Sequence, residues 1–149
     1  MSNFIKKIFF VSSFILVTMS ACNPPEPIYV LDEAPLIPLP SSVVPSDVVI
    51  PLDVIRPVRT IGADERLNPI TQNFISFWKK NTQQELLYAV DATDGNGAIT
   101  FEIDKGFSSD QEAYKLVIAS NEITVKGKSI EGVFRGLKTL EQLVVLSKL

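Results

Sequence analysis

All ten prolines of this 149-residue chain lie between Pro24 and Pro69. Proline fixes φ and has no amide to donate, so a segment dense in it builds neither a helix interior nor a central strand. From Cys22 to Asp53 the prolines fall at Pro24, Pro25, Pro27, Pro35, Pro38, Pro40, Pro45 and Pro51. This composition favours extended, polyproline-like backbone. Residues 22–53 therefore read as a spacer. A docking motif for a proline-binding partner is the alternative, since Pro35 and Pro38 make a formal PxxP, but such matches arise often by chance. After Pro69 proline stops altogether, as expected where backbone amides are committed to helices and ladders. The folded part is thus expected over residues 54–149.

Upstream of the spacer, Lys6 and Lys7 precede a mostly apolar run from Ile8 to Val17 that includes Phe9, Phe10, Val11, Phe14, Ile15 and Leu16. Small and polar residues follow at Thr18, Ser20 and Ala21. Residues 1–21 have the layout of a secretory signal peptide, with an apolar run too short for a stable membrane span. The only cysteine, Cys22, comes next. Met19-Ser20-Ala21-Cys22 resembles the lipobox of bacterial lipoproteins, although leucine is commoner where Met19 stands. That resemblance implies cleavage before Cys22 and its diacylation as a lipid attachment site. A plain cleaved signal with an accidental cysteine is the alternative, but an unpaired cysteine in an exported chain calls for an explanation. Two acyl chains suffice for a stable anchor. The expected location is therefore a bacterial cell membrane, inner or outer, with the membrane itself as the first partner. Processing would remove Lys6 and Lys7 and leave 12 basic against 17 acidic residues, with no His and no Met.

In the folded part, Val54, Ile55, Val58 and Ile61 suggest one short irregular or edge strand, interrupted by Pro57. Asn68-Pro69 predicts a helix start, with Asn as cap and Pro at the first position. Ile70, Phe74, Phe77 and Trp78 recur at helical spacing, which predicts a helix over 69–82. Phe74 and Trp78 share that stripe, so they are expected in a core rather than on a sugar-stacking platform. Strands are expected at Leu86–Val90, around Ile99–Ile103, at 113–119 and at 122–127, with a turn at Asp94-Gly95-Asn96-Gly97. The last two should form an antiparallel hairpin across Ser120-Asn121-Glu122. Ser129 is a plausible cap for a long final helix. Its apolar series is Ile130, Val133, Phe134, Leu137, Leu140, Leu143 and Val144, with Arg135, Lys138, Glu141 and Gln142 mostly opposite. Gly132 and Gly136 share a face and each costs about 1 kcal/mol against alanine. Close approach of the helix backbone to a sheet would offset that cost.

The residues of this C-terminal part are less generic than their order. Glu112-Ala113-Tyr114-Lys115-Leu116-Val117-Ile118, then Ile123-Thr124-Val125, then Gly132-Val133-Phe134-Arg135-Gly136-Leu137-Lys138-Thr139-Leu140-Glu141-Gln142-Leu143 resemble the end of the N-terminal, non-catalytic domain of glycoside hydrolase family 20, the β-N-acetylhexosaminidases. That domain typically runs E-x-Y-x-L-x-I, a turn, a second strand, then G-x-F-x-G-x-x-T-L-x-Q-L. Its usual I-P-x-P opening and L-N segment have remnants in Ile50-Pro51 and Leu67-Asn68-Pro69; the strand that the family places between that segment and the first helix is missing from this reading. The resemblance implies an α+β fold, with a small antiparallel sheet of about four strands and two helices packed on one face. It further implies a (β/α)8 barrel that carries the catalytic Asp-Glu pair and the sugar-binding tryptophans. The barrel would have to come from a missing segment or another chain, because no counterpart of those residues is found here.

Other chemistry finds little footing. There is no His, which excludes Ser/His and Cys/His devices. Glu102 and Asp104 share a strand face, but solvated strand carboxylates are the better reading than a hydrolytic pair. Asp91, Thr93, Gly95, Gly97 and Glu102 loosely echo a calcium loop, yet Asn96 stands at the turn glycine and a strand follows. No metal and no cofactor is expected. A net charge of −3 gives no case for nucleic acid. The expected function is a membrane-tethered accessory domain, truncated or split from its barrel and without turnover of its own. The alternative is a stand-alone lipoprotein binding module, which would carry an exposed apolar patch on the sheet face opposite the helices, around Leu87, Val117 and Ala119.

Overall fold

The computed structural model describes residues 36–52, 56–89 and 97–147. The signal peptide, Cys22, the upstream prolines, Val54-Ile55 and the Asp91–Asn96 stretch lie outside the described residues. In chain order the elements are β1 (Arg56–Ile61), α1 (Leu67–Thr82), β2 (Leu86–Tyr88), β3 (Ile99–Ile103), β4 (Tyr114–Ala119), β5 (Glu122–Gly127) and α2 (Ile130–Leu146). This is an α+β fold, as expected. The sheet corrects the expectation in detail: it has five strands in the order β2-β1-β3-β5-β4. Three of its pairings are parallel, and only β4–β5 is antiparallel. Alternating side chains reveal which face a strand buries, not its direction, so the parallel pairings were invisible to periodicity.

The segment expected as an edge strand is an interior one, β1, flanked by β2 and β3. The register accounts for its proline. β3 runs beside β1 only from Val58 onward, while Pro57 lies opposite Leu87 of β2. Pro57 therefore sits where β1 has a neighbour on one side only, and its missing donor leaves no gap in the ladder.

Helix α1 begins at Leu67, earlier than Asn68-Pro69 predicted, with Arg66 at the cap position and no side-chain cap, and Asp64 makes the turn that leads into it. The Asp64 carboxylate accepts the Arg66 amide at 2.9 Å, and its carbonyl accepts the Leu67 amide at 3.0 Å. Pro69 then occupies the third helical position, where the amide has no intrahelical acceptor anyway. The buried stripe is Leu67, Thr71, Phe74 and Trp78, with Ile70 and Phe77 packed at its margin. Phe74 and Trp78 are core residues, as their spacing indicated. The Phe74 ring meets Phe101 of β3 edge-on at 5.2 Å and lies 5.8 Å from Trp78.

Helix α2 is capped by Ser129, whose hydroxyl accepts the Glu131 amide at 3.1 Å. It buries Ile130, Val133, Leu137, Leu140 and Val144 against Val125, Ile123 and the rest of the sheet core. Both helices lie on the same face, in contact with each other. Gly132 and Gly136 provide the close approach anticipated from their spacing. A Cβ at Gly136 would stand 2.7 Å from Val125 Cγ1 and 2.8 Å from the Tyr114 ring, and one at Gly132 would run into the Ala113 carbonyl oxygen. Phe134 departs from expectation. Counted with the core face, it is 44 % exposed. The glycine seam turns α2 so that Val133 and Leu137 point into the sheet and Phe134 points away from it.

Part of the proline-rich segment also belongs to the folded body. Leu36 is 5 % exposed, and Ile50 and Leu52 pack against the core.

Candidate functional site

The proline-rich segment crosses α2 and makes one wall of a surface groove of about 500 Å³. Ile37 and Pro38 form that wall, and Ile70, Ile130 and Phe134 supply apolar lining. Gln142 holds the wall in place. Its Oε1 accepts the Ile37 amide and its Nε2 donates to the Ile37 carbonyl, each at 2.9 Å. Around the groove the charged side chains are paired. Arg66 reaches from the start of α1 to Glu131 on α2 at 2.9 Å while also holding Asp64 at 2.8 Å. Arg135 pairs with Glu112 at 2.6 Å and Lys138 with Glu141 at 2.6 Å. Lys138 also lies 5.3 Å from the centre of the Phe134 ring, a cation–π distance.

The sheet face away from the helices carries Glu102 and Asp104. The structure does bring these two together, but on one cation: Lys126 of β5 lies 2.8 Å from Glu102 and 3.5 Å from Asp104. The Glu102 hydrogen bond, more than any other contact, raises the affinity of Lys126 for its proton. Next to this cluster, Arg59 Nε donates to Thr100 Oγ1 at 2.7 Å. The remaining residues of the calcium-like pattern, apart from Gly97 and Glu102, lie outside the described residues. Among the described residues no group of three His, Cys, Asp or Glu side chains is placed to hold a metal ion. No described helix is long and apolar enough to cross a membrane.

Chemically, seven of the described acidic groups, Asp64, Glu85, Glu102, Asp104, Glu112, Glu131 and Glu141, pair with a lysine or an arginine. Asp64 is held below the ordinary carboxylate range chiefly by its hydrogen bond from the Arg66 side chain. Glu85 is lowered by its bond to Lys79, and Glu131 is lowered first by the Ser129 hydroxyl and then by its own amide and Arg66. A general acid for glycosidic cleavage needs the opposite shift, upward, usually from an apolar pocket. These contacts favour the charged form and tie it to a fixed cation.

Two features escaped sequence reasoning: the docking of Leu36–Pro38 on the fold and the part Gln142 plays in it. A signal was present for the first. Ile37-Pro38-Leu39-Pro40 is a full I-P-x-P, whereas Ile50-Pro51 supplies only its first half. Gln142 was placed with the outward polar residues, and its role appears only once the segment is seen to cross α2.

No curated protein matches the chain. The family model for glycosyl hydrolase family 20, domain 2, matches residues 33–147. That span takes in the I-P-x-P segment, the five-stranded sheet and both helices, which is the whole described fold. Through this domain, the non-catalytic N-terminal one, the chain belongs to glycosyl hydrolase family 20.

Proposed function

We propose that the domain works as the membrane-tethered accessory unit of a β-N-acetylhexosaminidase-like protein, anchored through a diacylated Cys22, with hydrolysis carried out by a barrel outside these 149 residues. The family match over 33–147 carries this reading. The pairing of the two carboxylates at the groove adds to it, because Glu112 and Glu131 neutralise Arg135 and Arg66 there. The anchor rests on the n-region, the apolar run and the lone cysteine that follows it.

The stand-alone binding module draws less support. Leu87 is 58 % exposed and Val117 36 %, so both do present apolar surface. They belong to β2 and β4, the opposite edges of the sheet. Four strand spacings separate them, roughly 19 Å, and the Arg59–Thr100 and Lys126–Glu102 pairs lie between. Two isolated edges do not make the contiguous patch that a docking face requires.

A chromogenic N-acetylhexosaminide tests the division of labour. The purified chain should release no chromophore above background, and measurable turnover would overturn the assignment. Labelled palmitate tests the anchor: incorporation should be abolished by Cys22→Ser, and an unlabelled parent chain would remove the tether from the proposal.

A further inference from the structure

We draw no further inference here: the strongest candidate, the groove on α2 that Ile70, Ile130 and the exposed Phe134 line behind the Ile37-Pro38 wall, has Arg66 and Arg135 already paired with Glu131 and Glu112, and nothing in the structure shows what covers it.

Discussion

Replacing Gly132 by alanine sets two effects of opposite sign against each other. Within a helix the change should stabilise by about 1 kcal/mol, because glycine has the larger backbone entropy to lose. The structure opposes it. The new Cβ would run into the Ala113 carbonyl oxygen, 3.2 Å from the carbonyl carbon and 3.4 Å from the Gln111 oxygen. Neither carbonyl can retreat without loss. Ala113 O accepts the Lys128 amide at 3.2 Å, and Gln111 O accepts the Ser129 hydroxyl at 2.7 Å. Overpacking of this kind costs about 1–3 kcal/mol, and a broken backbone hydrogen bond adds about 1 kcal/mol. Subtracting the propensity gain leaves a net loss of about 2 kcal/mol. The chain has one tryptophan, and Trp78 is fully buried, so its fluorescence reports unfolding of the core. With a urea slope of about 2 kcal/mol/M for a domain of this size, the midpoint should fall by about 1 M. An unchanged or raised midpoint would show that α2 does not seat on the β4 side through Gly132, and the proposed close approach would be wrong.

Two further perturbations follow from the same structure. Leu137→Ala should cost about 2–5 kcal/mol, since Leu137 is 1 % exposed, whereas Phe134→Ser should cost under about 1 kcal/mol, as surface changes usually do; equal losses in urea titrations would put Phe134 back in the core. Because Asp64, Glu85 and Glu131 are all lowered in the folded chain, their contribution is complete above the ordinary carboxylate range and is lost as pH falls through the lowered values. Thermal stability should therefore decline on acidification below about pH 4.5, less steeply in Asp64→Asn, and the difference should shrink in high salt because these pairs are exposed; an identical acid profile for the variant would refute the role given to the Arg66 bridge.

The sequence by itself determined the elements whose signals are local. Ser129 caps α2 because its hydroxyl stands beside the amides it serves. The alternation of Tyr114–Ala119 and Ile123–Val125 marked a hairpin, since a short turn leaves those strands no other partner. Phe74 and Trp78 announced themselves as core by helical spacing, and the glycine pair by its cost. The family, too, was legible, because its motif is carried by these same residues. Strand direction and order were decided by tertiary structure alone. β1 lies between two parallel partners because of how the connections cross the sheet, which no window of sequence encodes. Phe134 faces the groove because two glycines set how α2 sits, although its place in the apolar series is as good as that of Val133. Ile37 and Gln142 meet across more than a hundred residues of chain, where composition suggested a free spacer. Local chemistry writes local geometry, whereas burial of a particular side chain depends on what the rest of the chain brings to it.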